Sequence, residues 1–351
     1  MRSIRAPLAF LALAIFALSL SVVSAQDAAE PVTAKLKYKA VKKWVLILPK
    51  EVWSSASGAI GIPHQGGDGF ATSPDGMKLM VDTTGDGRTN DVVKGVSGFL
   101  QIKGKRRDGK KFQYALRLQK QGAGWQYASS GYWQGRIGGE SITVIDQNNN
   151  GLFNEYGVDA MVVGKSKAAG FLSKVVSLKG DIYNFEVSPD GSSMSITPYA
   201  GETGTMDLRR NFKTYGQLIS AIVSNETGDV CFDVANAKKG MTVPVGNYVL
   251  SGGYAAKGSE TCRIRTGNMT PFEVKAGDTS SPQWGAPLTV DFAYTIQDGV
   301  LKVPPPPTNV KYYGAAGEEY YDWKPDATSP EIIVTDKATG REVAKGRFGG
   351  C

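Results

Sequence analysis

Residues Val144 to Asp159 read VIDQNNNGLFNEYGVD, with side-chain oxygens at alternate positions, Asp146, Asn148 and Asn150, and a glycine directly after them, Gly151. A hard cation such as Ca²⁺ takes about six to eight oxygen ligands. A D-x-N-x-N-G run gathers three oxygen-bearing side chains in one tight loop and adds a backbone carbonyl, here that of Leu152, just past the glycine. Asn154, Glu155 and Asp159 supply further oxygens. The chemistry these residue types suit is hard-cation binding, with calcium as the expected ion. An earlier stretch, Val81 to Asp91 (VDTTGDGRTND), repeats the order. Asp82, Thr84, Asp86, Gly87, Asn90 and Asp91 match Asp146, Asn148, Asn150, Gly151, Asn154 and Glu155, and Arg88 stands where Leu152 supplies its carbonyl.

Neither copy completes an EF-hand, because the twelfth loop position, where a bidentate Glu is required, holds Val93 in the first and Gly157 in the second. Asp159 can serve instead if the second loop is longer. The flanks alternate like strands: Met77, Leu79 and Val81 before the first loop, Ile142 and Val144 before the second, and Ala160 to Val163 after it. On these residues the two loops resemble the EF-hand-like loops of dockerins, thrombospondin type 3 repeats and other secreted bacterial proteins. That resemblance implies calcium binding over about a dozen residues per copy, and neither a fold nor an activity. The competing account is a pair of metal-free hairpin turns, since Asn, Asp and Gly tolerate left-handed backbone on their own.

Other chemistry is sparse. His64 is the one histidine, which excludes a histidine-rich metal centre. A Ser-His-Asp triad would have to use it, and nothing around Ser55, Ser57 or Ser73 resembles a nucleophile elbow. No C-x-x-C occurs, so thiolate zinc is not expected. The chain has many carboxylates, but glycosidase chemistry needs two at a set separation, which spacing in sequence does not give. Glycine-rich stretches lack the phosphate-binding lysine and strand-to-helix context of a nucleotide site.

Three further groups are surface candidates. The turn KGKRRDGKK, residues 103–111, can meet phosphate or an acidic polysaccharide, or stand as a solvated hairpin tip. Trp125, Tyr127 and Trp133 can form a shelf on which sugar rings stack, or fill a β core. Tyr320, Tyr321 and Trp323, in KYYGAAGEEYYDW, can form a binding surface, or cover a sandwich with alternate rings while the acids face water.

These residues need strands to hold them. Arg2 and Arg5 precede an apolar run from Ala6 to Val23, and Val23-Ser24-Ala25 offers a cleavage site, so residues 1–25 read as a signal peptide; a retained anchor is the alternative. No later run is as long, so no transmembrane helix is expected after cleavage. The net charge is +7, and +5 once Arg2 and Arg5 leave, too mild for the concentrated basic face of a nucleic-acid binder. Residues 26–36 read as a flexible lead-in. Trp44 to Leu48 is expected to be the first strong strand. Asp108-Gly109 between alternating runs marks a hairpin. SPDG occurs at residues 73–76 and again at 188–191, a hint of duplicated hairpin units. Pro304 to Pro307 is a stiff segment unfit for a central strand.

Of Cys231, Cys262 and Cys351, the first two are expected to pair if the chain is exported, with Cys351 bridging one of them as the rival. VPVGNYVL, residues 243–250, resembles carboxypeptidase-regulatory-like and other immunoglobulin-type sandwiches. The expected fold is all-β: an N-terminal antiparallel β domain with two calcium-type loops (residues 37–212), followed by an immunoglobulin-like β-sandwich (residues 213–351). The expected function is that of an exported, non-catalytic calcium-binding protein of structural or adhesion type at the cell envelope or matrix. Ca²⁺ is its expected cofactor, and a cell-surface polysaccharide or envelope protein its partner. A carbohydrate-binding module is the alternative, and a secreted hydrolase of glycan or peptide the second alternative.

Overall fold

A computed structural model describes residues 30–302, 310–325 and 331–347. The signal-peptide segment, the prolines at 304–307 and Cys351 lie outside the described residues. Every regular element among them is a β-strand, and nearly all pairings are antiparallel. The chain is all-β, as its short alternating runs require. No described helix is long and apolar enough to cross a membrane.

Two hydrophobic cores form. The first collects Leu79, Val81, Ile102, Leu116, Leu118, Ile142 and Val144 from three sheets. Four strands, Ala59–Ile60, Phe70–Asp75, Lys78–Val81 and Asp91–Lys94, pair in that order. A second sheet places Lys111–Gln121 between Gly124–Ser129 and Ser97–Lys105. A third runs Gly170–Phe171, Ala160–Val163, Glu140–Ile145, Gly131–Ile137, Lys37–Ala40. The strands that feed both acidic loops are thereby anchored in one core: Leu79, Val81, Ile142 and Val144 are fully buried. Burying each such side chain contributes about 1.5–3 kcal/mol. On the other face of the third sheet, Ile145, Ala160 and Val162 pack with Leu48 and Ala169 in a small satellite core.

The second core gathers Val243, Tyr248, Leu250, Ile264, Trp284 and Tyr320 around the long strand Gly246–Lys257. It already recruits Met206 and Leu208, N-terminal to residue 212, because the strand Thr203–Met206 pairs with Met241–Pro244.

Three expectations require correction. The lead-in is in part a strand: Val32–Lys35 pairs with the edge Ser193–Pro198, and Leu36 is buried behind it. Trp44 to Leu48 is not a strand. Ile47 forms one isolated bridge to Ala168, Val45 points to solvent, and the apolar side chains of Trp44, Leu46 and Leu48 are spent on the satellite core. Cys231 and Cys262 are both buried free thiols. Cys231 lies opposite Ser224, which pairs with Val249, whereas Cys262 pairs with Ala255 on the same long strand. Val249 to Ala255 spans about 20 Å at ~3.3 Å per residue, far beyond the ~7 Å Cα separation a disulfide tolerates. Burial pushes Cys231 up to about 12 and Cys262 up to about 11, which keeps both thiols protonated.

Candidate metal centre

Each acidic loop joins two antiparallel strands, closed by Val81 opposite Asp91 in the first and by Ile145 opposite Ala160 in the second. From the leading Asp to the residue after the glycine, the two loops share three hydrogen bonds, and they differ in a fourth, from the Thr84 N–H in the first loop and the Asn150 N–H in the second. Asp82 Oδ1 accepts from the Gly85 N–H at 2.7 Å and its Oδ2 from the Gly87 N–H at 2.8 Å. Asp146 accepts likewise from the Asn149 and Gly151 N–H groups, each at 2.6 Å. Asp86 Oδ1 accepts from the Arg88 N–H and Asn150 Oδ1 from the Leu152 N–H, both at 2.9 Å.

The left-handed turns also coincide, at Gly85 (φ 76) and Asn149 (φ 66), then at Gly87 (φ 83) and Gly151 (φ 80). Only Gly, or a short polar residue such as Asn, adopts this backbone cheaply. The likeness seen in the letters is therefore a likeness of backbone.

Beyond the glycine the loops part. In the first, Asp82 is the buried carboxylate, while Thr84, Asp86, Arg88, Asn90 and Asp91 are exposed. Burial acts to raise the Asp82 carboxyl, but the amides of Thr84, Gly87 and Gly85 outweigh it and hold it below the usual carboxylate range. Asp91 accepts from the Thr83 hydroxyl. This loop is closed by its own hydrogen bonds, and none of its side-chain oxygens is among the buried ones left without a partner.

The second loop is different. Asp146 is fully buried and accepts from the Tyr114 hydroxyl at 2.8 Å besides its loop amides. Burial still prevails over these donors and pushes its carboxyl up to about 6. Asp159 is also fully buried, accepts from the Glu155 N–H at 3.0 Å with Oδ2, and leaves Oδ1 with no hydrogen-bond partner. Burial first, then the charges of Asp146 and Glu155, outweigh the backbone amides of Glu155 and Gln147 and push the Asp159 carboxyl up to about 8. Glu155 Oε2 accepts from the side-chain amides of Asn148 at 2.9 Å and Asn150 at 2.6 Å. Asn148 Oδ1 is a second buried oxygen without a partner.

Asp146, Asn148, Asn150, Glu155 and Asp159 are thus brought together. Leu152 projects to solvent, and Asn154 is half-buried. Among the described residues no three His, Cys, Asp or Glu side chains close on a single point. The oxygen-rich set rests instead on two asparagines and on acids that lack a compensating cation. Orphaned buried oxygens, one of them on a carboxyl raised by burial and by its acidic neighbours, fit a hard cation.

Tyr114, which caps Asp146 from the strand Lys111–Gln121, and Tyr38, whose hydroxyl accepts from the Ala115 N–H at 2.7 Å beside it, were not legible as part of the site. Both contacts cross from one sheet to another, and no local pattern signals them.

The other candidates fall as follows. His64 Nδ1 accepts from the Gly66 N–H at 3.1 Å and Nε2 donates to the Gly69 carbonyl, so both ring nitrogens serve their own loop. Trp125 and Tyr127 do not form an exposed shelf, for they are 2% and 4% exposed within the first core. Trp133 is half-buried against the same core. Tyr320 is buried in the second core and Trp323 packs on it, while Tyr321 lies under the Arg265 guanidinium at 4.7 Å. Comparison with protein-family models, with curated proteins and with solved structures gives no match.

Proposed function

We propose that this chain is an exported β protein whose second acidic loop is clamped by a calcium ion in a structural, non-catalytic role at the cell envelope or matrix. An immunoglobulin-like character for the residues beyond 212 belongs to the same proposal. The observation that carries it is the pair of buried oxygens without partners, Asp159 Oδ1 and Asn148 Oδ1, set beside the carboxylates of Asp146 and Glu155.

Asp159, Asn148, Glu155 and Asn150 would hold the ion. Asp146 fixes the backbone on which they stand, through the amides of Asn149, Asn150 and Gly151. When bound, calcium supplies the positive charge that the clustered acids lack and a coordination demand met by neutral amide oxygens. Glu155 and Asp159 tie the end of the loop to the strand Ala160–Val163, so closing this set opposes fraying of that hairpin end.

Thermal unfolding in calcium and in chelator tests this. With an affinity of about 0.1–1 mM, usual for extracellular modules, 10 mM calcium stabilises the chain by roughly 1.4–2.7 kcal/mol. Asp159→Asn keeps the shape, removes the charge and is expected to abolish the calcium response while matching or exceeding the native melting temperature in chelator. Identical melting of the native chain in calcium and in chelator overturns the proposal.

A further inference from the structure

The hairpin tip expected from Asp108-Gly109 forms as drawn, with the Arg106 N–H donating to the Lys110 carbonyl at 2.8 Å and Gly109 at φ 80. It is not a free tip. It forms one wall of a cleft of about 940 Å³ whose other walls are the His64 loop, Thr84 and Gly85 of the first acidic loop, and Asp190 and Ser192 at the second SPDG turn. A smaller cavity of about 280 Å³ adjoins it, sharing Arg106, Phe112 and Trp133 and bounded by Asn150 to Phe153 of the second acidic loop. Arg106 spans the two, with Nη2 3.4 Å from the Gly151 carbonyl and its guanidinium 5.8 Å from the Phe112 ring centre.

Lys103, Lys105, Arg106, Lys110 and Lys111 line the cleft, and Asp190 is the one acid among its lining residues. Asp190 is occupied: its Oδ1 accepts from the hydroxyls of Ser188 at 2.7 Å and Ser192 at 2.8 Å. Lys103, Lys105 and Lys111 make no ion pair among the described residues, and all three are exposed. Lys110 stands 3.7 Å from Asp108 in an exposed pair, so the cluster keeps a net positive excess, and gathered like charges raise the local concentration of anions.

The cleft is also floored with rings. Trp133 is held edge-on by Tyr38 (centroids 5.4 Å apart) and Phe153 (6.3 Å), and Gly191 lies so close that an added Cβ would sit 2.2 Å from its ring. Phe112 is braced by Phe70 at 5.9 Å. Fixed rings offer an apolar platform at little entropic cost.

We infer that this cleft binds an anionic polysaccharide, its carboxylate or sulfate groups met by Lys103, Lys105, Lys110 and Lys111 and its sugar faces by Trp133 and Phe112. Flexible lysines act as point charges and suit irregularly spaced anions along a polymer, whereas bidentate recognition of a single fixed group favours arginine. The volume lies at the top of the ~300–1,000 Å³ range of small-molecule pockets, room for an oligomer. The choice of glycan over nucleic acid, the other stacking polyanion, rests on the proposed export; the charge cluster itself rests on neither export nor calcium.

The test is retention of the full chain on polygalacturonate and on dextran sulfate, against neutral dextran and single-stranded DNA, in chelator throughout. The native chain is expected to bind at least one of the two acidic glycans and to pass through neutral dextran. The double variant Lys105→Gln, Lys111→Gln weakens binding roughly two- to thirtyfold, the equivalent of two exposed ion pairs. Lys78→Gln with Lys94→Gln removes the same charge from a facing strand pair outside the cleft and leaves affinity unchanged. Binding to neither acidic glycan, equal loss in both double variants, or tighter binding of DNA than of either glycan overturns the inference. Because chelator is present in every arm, a failed calcium clamp leaves this outcome untouched.

Discussion

At the scale of the residue, the oxygen-bearing positions of both loops were legible because their spacing is local: Asp, three positions, Asn or Asp, then Gly sets both the letters and the shared hydrogen bonds. What spacing did not reveal is that the first loop satisfies itself. Asp82 is engaged by three backbone amides, at 2.9, 2.7 and 2.8 Å, and its role is to close the turn. Asp82→Ala leaves those amides without an acceptor and is expected to cost about 2–3 kcal/mol; Asp82→Asn keeps one oxygen and costs about 1 kcal/mol. Urea unfolding checks both values. The cost is expected to be the same in calcium and in chelator, whereas a cost confined to calcium would give the first loop back its ion.

At the scale of the element, alternation located most strands but misjudged two. Trp44 to Leu48 is as apolar as any strand in the chain, and it loses its ladder because Ile47 alone finds a backbone partner, in Lys167 to Ala169. Val32–Lys35 carries no strong pattern and becomes a strand because the edge Ser193–Pro198 stands open beside it. Pairing partners, not propensity, decided both. The same long-range dependence governs the tail of the second loop. Gly157 turns left-handed at φ 75 with its N–H on the Leu172 carbonyl at 2.8 Å, and an added Cβ would lie 2.1 Å from the Gly228 carbonyl. Gly157→Ala therefore has to part the loop from the Asn225–Gly228 turn, at an expected cost of roughly 2–4 kcal/mol. Gly228→Ala has the same left-handed backbone (φ 77) and open space around it, so it is expected to cost only about 1–2 kcal/mol. Thermal unfolding of the two variants side by side measures the difference, and equal losses would mean that the contact yields without cost.

At the scale of the whole molecule, the all-β class was legible from composition and turns, but the way the two cores join was not, since the joining residues are polar and far apart in sequence. Ser173 Oγ accepts from the Cys231 N–H at 2.9 Å, the Lys174 N–H donates to the Asp229 carbonyl at 2.9 Å, and Lys174 Nζ pairs with Asp229 Oδ2 at 2.9 Å. The Lys174 ammonium, then the Thr227 hydroxyl and the Asn225 amide, hold the Asp229 carboxyl well below its ordinary value of 3.8. A carboxyl depressed by folding stabilises the folded state above its unfolded value, and that contribution is lost as pH falls through the folded value. The seam is therefore expected to weaken on acidification below about pH 4 and to be insensitive to pH between about 5 and 8 on this account. Asp229→Asn removes the titrating group: it is expected to be less stable than the native chain at pH 7 and to lose less on going from pH 7 to pH 3. With Lys174 and Asp229 both partly exposed, added salt shrinks the gap at pH 7. Urea unfolding at the two pH values, in low and high salt, decides it. An equal loss between pH 7 and pH 3 in both chains would mean that the cores are held by the backbone bonds of Ser173 and Lys174, with the ion pair as a bystander.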